Sequence, residues 1–303
     1  MRIFVAGASG QVALSLKEAV QGSEITLVTA GRPDFDLTKP KSVRKAITAF
    51  EPTAIVNAAA YTAVDAAETD EAAANAVNGD GAGVLAQIAD ELGVPFIHIS
   101  TDYVFSGNKN GAYAEKDSVA PTGAYGRSKL AGELAVLIKN PNSIILRTAW
   151  VYSPFGKNFC RTMLSLAKDR DALGVVSDQT GNPTYAPDIA DAILHILEGI
   201  EDNGWHDHYA GTYHLAGTGE SDWFSFASEI FRVGGTLGHP VPTLNKLTTE
   251  EYPTPAKRPA NSCLDCRKIE SAFGITMPPW HRSTAACVKR ILAEVDKSEE
   301  PLG

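Results

Sequence analysis

Three side chains in the N-terminal half have the types and spacing to reduce a carbonyl group. Tyr125 and Lys129 stand four residues apart, so on a helix they share one face, with the ammonium beside the phenol. Thr101 closes a short apolar run 24 residues before Tyr125 and reaches the same point from a strand end. A free tyrosine ionises near pH ~10, and a neighbouring ammonium favours the phenolate, bringing the phenol closer to useful acidity at neutral pH. Tyr125 is then expected to supply a proton and Thr101 to hydrogen-bond the reacting oxygen, while a nicotinamide supplies a hydride. Tyr-x-x-x-Lys alone also describes an amphipathic tyrosine beside a surface lysine, so its weight comes from what precedes it.

What precedes it is a phosphate cradle. Gly7-Ala8-Ser9-Gly10-Gln11-Val12-Ala13 follows the first apolar run and opens a helix. Gly7 permits a tight turn and Gly10 lets backbone approach a pyrophosphate, whose charge faces the unpaired amides of the helix start. Ala13 stands where a third glycine would allow close helix packing. About 20 residues after the turn, where a carboxylate would hold the ribose hydroxyls, the chain has Ala30, with Arg32 close by to pair with a 2′-phosphate. NADPH is therefore the expected cofactor, with NADH as an alternative donor. Asp36 either reaches the adenine edge or caps a turn. The small side chains of Asn57-Ala58-Ala59-Ala60-Tyr61-Thr62 let a cofactor lie against backbone.

The elements that must position these residues follow from periodicity. Strands are expected at 3–6, 25–28, 54–57, 96–100 and 144–147, brief and apolar as strands buried on both faces should be. Between them helices are expected at 11–20, at 39–50 after a capping Thr38, at 71–92 stopped by Gly93, and at 125–139. This βα alternation predicts an α/β protein with a Rossmann-type doubly wound parallel sheet and a smaller C-terminal substrate-binding lobe. Residues 1–150 form the dinucleotide-binding domain, to which a strand and a helix between 173 and 198 return. Residues 151–303 are mainly the lobe: a helix over 158–170, an aromatic and Gly-rich stretch over 205–213, a helix over 221–233 and a Pro-rich segment over 239–259.

Composition excludes several classes. The 303 residues suffice for one large or two modest domains, and 44% hydrophobic with 21% charged residues is the balance of a globular enzyme. A net charge of −9 without a basic stripe argues against nucleic acid. The first apolar run is too short for a signal-peptide core and no run approaches ~18 apolar residues, so a cytoplasmic protein without a membrane span is expected. Cys160, Cys263, Cys266 and Cys287 are expected to be reduced. Cys263-x-x-Cys266 lacks the second pair of a zinc site, and His206-Asp207-His208 lacks an element to fix its geometry.

Taken in order, Gly7-Ala-Ser-Gly10-Gln11, Asn57-Ala-Ala-Ala-Tyr-Thr-Ala-Val-Asp65, Ser100-Thr-Asp-Tyr-Val-Phe105 and Tyr125-Gly-x-x-Lys129-Leu-Ala-Gly-Glu133 are similar to motifs of the extended short-chain dehydrogenase/reductase family. With Arg147-Thr-x-Trp150-Val-Tyr152, Asp178-Gln-x-Gly181 and Tyr252-Pro-Thr-Pro-Ala256-x-Arg258-Pro259, the chain resembles its dTDP-4-dehydrorhamnose reductase branch over nearly its whole length. The resemblance implies NADPH-dependent reduction of the C4 ketone of dTDP-4-dehydro-L-rhamnose to dTDP-L-rhamnose, the last step of dTDP-rhamnose biosynthesis. It implies a catalytic trio of Thr101, Tyr125 and Lys129, with Asp102 and Trp150 beside the sugar. Cofactor contacts fall on Gln11, Val12, Asp36, Leu37, Ala60, Tyr61 and Thr62, in addition to the glycines, Arg32, Tyr125 and Lys129. Arg258 is assigned to the diphosphate for its paired donors. Relatives that bind Mg²⁺ at a dimer interface use an acidic residue in the first helix. Val12-Ala13-Leu14-Ser15-Leu16 has none, so no metal site is expected and a homodimer here is not expected to be metal-bridged. Two other readings share the early motifs: a reductase or epimerase of another nucleotide sugar, and a non-catalytic NADP-binding regulatory subunit.

Overall fold

Alternation of side-chain faces along short strands builds the core. The computed structural model describes residues 1–299; residues 300–303 of the expected lobe lie outside it. The first half comprises β1 (Arg2–Ala6), α1 (Gln11–Ala19), β2 (Thr26–Ala30), α2 (Pro40–Phe50), β3 (Ala54–Asn57), α3 (Val64–Ala67), α4 (Glu71–Asn75), α5 (Gly81–Leu92), β4 (Phe96–Thr101), α6 (Ala124–Lys139) and β5 (Ser143–Thr148). There follow β6 (Val151–Tyr152), α7 (Phe159–Ala167), β7 (Ala172–Val176), β8 (Thr180–Gly181), β9 (Thr184–Tyr185) and α8 (Ala186–Asn203). The chain continues through β10 (Gly211–His214), β11 (Ser221–Asp222), α9 (Trp223–Thr236), β12 (Thr243–Leu247), α10 (Arg267–Phe273) and α11 (Trp280–Glu299).

Ile3, Val5, Val56, Ile97, Ile144 and Leu146 share a core with Val12 and Leu16 of α1 and Ile189, Ile193 and Ile196 of α8. Their strand neighbours Phe4, Ala6, Ile55, Phe96 and Ile145 share another, with Val43 and Ile47 of α2, Leu85 and Ile88 of α5 and Val136 of α6. Period-two alternation between two helical layers is what a doubly covered parallel sheet requires. The sheet runs β2-β1-β3-β4-β5-β10, parallel throughout. Its winding reverses between β1 and β3, and a ligand crevice opens beyond the carboxyl ends of strands at such a reversal.

Four expectations are corrected. The strand near 173 does not return to the central sheet: β7 pairs with β12, and only Leu173 and Val175 of its first four residues are buried, which suits a one-sided lobe strand. The sixth strand is instead β10, from the aromatic stretch, with Tyr213 buried in the sheet core. Helix α8 packs against α1 in one layer of the central sheet's core. The helix expected over 71–92 is interrupted by a π-helical turn, Ala76–Asp80. Thr38 does not cap α2; Lys39 takes that place before Pro40, and the Thr38 amide is taken by Asp36.

Small strand pairs and α7, α9 and α11 make the lobe, around Tyr152, Leu164, Phe226, Phe231 and Val288. Among the described residues no helix is long and apolar enough to cross a membrane. All four cysteines are free thiols.

Candidate active site

A cavity of about 910 Å³ lies at the reversal point. Its cofactor half starts at Gly7, whose φ of 113° places it in a region closed to other residues and whose missing Cβ would meet Ala58 backbone at 3.1 Å. Gly10 precedes α1 without a side-chain cap, and the first turn of α1 has no acidic residue, so the helix amides stay open to an anion. The Gln11 side chain turns to the segment after β5: Nε2 donates to the Val151 carbonyl at 3.2 Å and Oε1 accepts from the Ser153 hydroxyl at 2.7 Å. Arg32 is exposed beyond β2, on the cavity wall. The Asp36 carboxylate accepts from the Thr38 amide (3.0 Å) and hydroxyl (2.8 Å), and so caps the turn leading to α2. These groups fit an NADP-type dinucleotide: a turn whose first residue, Gly7, must be glycine, open amides and a guanidinium where a ribose-binding carboxylate is absent.

The other half rests on β4 and α6. Thr101 ends β4 and donates to Asp102 Oδ1 at 3.0 Å. Glu68 accepts from the Ala124 amide at 2.8 Å and holds the start of α6, one residue before Tyr125. Farther along the helix, the buried Glu133 carboxylate accepts from Ser100 Oγ at 2.6 Å and from two Arg147 nitrogens at 2.8 and 2.6 Å, tying α6 to β4 and β5. The Tyr125 ring meets that of Tyr103 edge-on, with centroids 5.5 Å apart.

Protonation differs from the expectation in one respect. Burial pushes the Tyr125 phenol well up, against the pull of the Thr101 hydroxyl. The Lys129 ammonium is occupied elsewhere, donating to the Ile99 carbonyl at 2.6 Å, and its own burial brings it down to about 8. The phenol therefore stays protonated at neutral pH rather than being lowered by Lys129. Asp102, also buried, is pushed up to about 6, and its Oδ2 has no partner. Trp150 adopts φ 47°, rare for a bulky residue, and lines the same cavity.

The chain matches the family described as RmlD substrate binding domain over residues 1–293. It belongs to that family. Of its relatives, a dTDP-4-dehydrorhamnose reductase of Sinorhizobium fredii is 47% identical over 294 residues, 97% of this chain and 99% of that one. A dTDP-4-dehydrorhamnose reductase of Escherichia coli is 38% identical over 301 residues, 97% of this chain and 98% of that one. Among solved structures, a dTDP-4-dehydrorhamnose reductase from Bacillus anthracis in complex with NADP superposes with a TM-score of 0.87 at 32% identity, covering 97% of this chain and 99% of that chain.

In this RmlD-family chain, every site residue expected from sequence except Arg258 lines the one cavity. Arg258 lies beyond the lining, donating to Asp65 Oδ2 at 2.7 Å and to the hydroxyl of Tyr103, itself a lining residue, at 3.4 Å. Sequence reasoning missed Thr148, which lines the cavity in register with Thr101 and whose buried hydroxyl has no partner. It also missed Asn78, which the π turn presents to the Tyr61 backbone, accepting from its amide at 2.8 Å and donating to its carbonyl at 3.1 Å. Thr148 carried a signal, standing beside Arg147 in a motif already noted; Asn78 carried none. Burial pushes Cys263 and Cys266 up to about 11 and about 12, so neither is a ready thiolate. His206 and His208 sit on a short turn with stacked rings.

Proposed function

We propose that the protein reduces the C4 ketone of dTDP-4-dehydro-L-rhamnose to give dTDP-L-rhamnose, with NADPH as reductant, in the cytoplasm. The observation that carries this reading is that Thr101, Asp102, Tyr125, Lys129 and Trp150 share one cavity with the glycine turn and Arg32. The named reductases of the same family support the substrate, and the Bacillus anthracis complex supports the cofactor. Residues 1–150, with α8 and β10, serve the dinucleotide, and the remaining lobe serves the nucleotide sugar.

A bound nicotinamide supplies the hydride. Tyr125, held protonated by burial, gives its proton to the ketone oxygen as negative charge develops there. Thr101 donates a hydrogen bond to the same oxygen, releasing Asp102 Oδ1 to do so. Lys129, one helical turn along α6 and lining the same cavity, brings a positive charge to the site that steadies the phenolate left behind. Asp102 and Trp150 orient the sugar, and Arg258 offers paired donors to the diphosphate. Arg32 selects the 2′-phosphate, so Arg32→Ala is expected to weaken NADPH far more than NADH in fluorescence titrations; equal loss would remove that role.

The deciding experiment is loss of nicotinamide absorbance on adding dTDP-4-dehydro-L-rhamnose generated in situ, with NADPH and NADH in parallel. Rapid oxidation is expected, faster with NADPH. A folded protein that binds NADPH but leaves it unoxidised would move the assignment to another nucleotide sugar or to a non-catalytic binder.

A further inference from the structure

The Asp178-Gln-x-Gly181 segment lies outside the cavity lining, yet each of its named residues acts on one wall of it. That wall is Trp150. Its indole stacks on Trp223 with ring centroids 3.6 Å apart and planes 9° from parallel. Trp223 is in turn fixed by the Phe159 ring at 4.7 Å and by a hydrogen bond from its Nε1 to Gln179 Oε1 at 3.2 Å. The other end of the Gln179 amide donates to Thr249 Oγ1 at 3.0 Å, and Asp178 accepts from the Thr249 amide at 2.9 Å and its hydroxyl at 2.7 Å. Gly181 completes the seat: a Cβ there would fall 2.5 Å from Trp150 Cε2 and 2.7 Å from Nε1, closer than any side chain allows. The left-handed backbone of Trp150, at φ 47°, is thus held from several directions.

Ordinary core packing needs neither a left-handed tryptophan nor a second indole hydrogen-bonded behind it, and Trp150 keeps part of its surface on the cavity. We propose that Gln179, Gly181 and Trp223 are positioning residues for the sugar end of the site. They hold the Trp150 indole as a rigid wall, so that the ketone-bearing ring meets a preformed surface and no side chain has to be ordered on binding. This inference rests on the reading of the site as a nucleotide-sugar reductase and assigns the residues that set its sugar recognition.

The test compares Gly181→Ala, Trp223→Ala, Trp223→Phe and Gln179→Leu with wild type, measuring kcat and KM for dTDP-4-dehydro-L-rhamnose and, separately, Kd for NADPH. Gly181→Ala and Trp223→Ala are expected to raise the sugar KM about tenfold or more, since small misplacements of a positioning group have effects of that order. NADPH Kd should stay within about twofold, and Trp223→Phe, which keeps an aromatic partner, should recover most of the loss. If Gly181→Ala does not fold, Gln179→Leu carries the same expectation with a milder change. Folded variants whose sugar KM stays at the wild-type value overturn the proposal, and so does a loss of NADPH affinity in step with the sugar KM. A wild-type protein that leaves NADPH unoxidised with this sugar defeats the functional reading as well, whereas active wild type with unaffected variants defeats this inference alone.

Discussion

In the proposed mechanism Tyr125 delivers a proton and has to hold it until charge appears on the acceptor, and burial favours its protonated form. Tyr125→Phe is expected to leave NADPH affinity near normal and to lower turnover by roughly 10²- to 10⁴-fold, read from steady-state NADPH oxidation beside a binding titration. Lys129 bears the opposite burden, a cation kept in a buried place. It ionises at about 8 in the fold against 10.5 in the open chain, so between these values the unfolded chain binds more protons and stability rises with pH. The cost of the buried charge is therefore full below about pH 8 and fades above it. Lys129→Met is expected to be inactive yet more resistant to urea than wild type at about pH 7, with the advantage shrinking by about pH 9.5. An advantage of the same size at both pH values would mean that packing, not charge, accounts for it.

At the scale of elements, α6 carries both Tyr125 and Lys129, and its placement depends on a buried ion pair more than on helix propensity. Glu133 and Arg147 are 3% and 6% exposed, so removing one partner strands a charge without solvent. Glu133→Ala is expected to cost about 3–5 kcal/mol in equilibrium unfolding, far more than a surface pair would. A loss below about 1 kcal/mol would show the pair to be incidental. The helix itself was legible from the chain, because its run of helix-favouring residues and its Tyr-x-x-x-Lys spacing are local. The π turn between α4 and α5 was not, since Asn78 is drawn toward Tyr61 and Ser128, 17 and 50 residues away in sequence. Nor was β10 legible: four residues with two of them buried carry too little alternation to mark a strand before a sheet edge is there to receive it.

Across the whole molecule, the lobe meets α3 through Asp65, which accepts from the Ala256 amide at 3.1 Å and from Arg258 at 2.7 Å. The pair is 42% and 22% exposed, so solvent screening leaves it little weight in global stability. Arg258→Ala is expected to change the unfolding free energy by less than about 1 kcal/mol while raising the sugar KM with NADPH affinity unchanged. A large stability loss with an unchanged KM would make Arg258 a structural brace and nothing more. The sequence by itself determined the doubly wound parallel sheet up to its sixth strand, the glycine turn, and the placing of Thr101 at a strand end with Tyr125 and Lys129 four residues apart on one helix. Strand alternation, the freedom of Gly7 and the i to i+4 geometry of a helix all act over a few residues. Only the tertiary structure decided that Lys129 donates to Ile99, that Tyr125 and Asp102 are held toward their protonated forms, and that Trp150 leans on Trp223. Those outcomes depend on loss of solvent and on partners distant in sequence, Ile99 for Lys129 and Trp223 for Trp150, and neither is a property of any local stretch of chain.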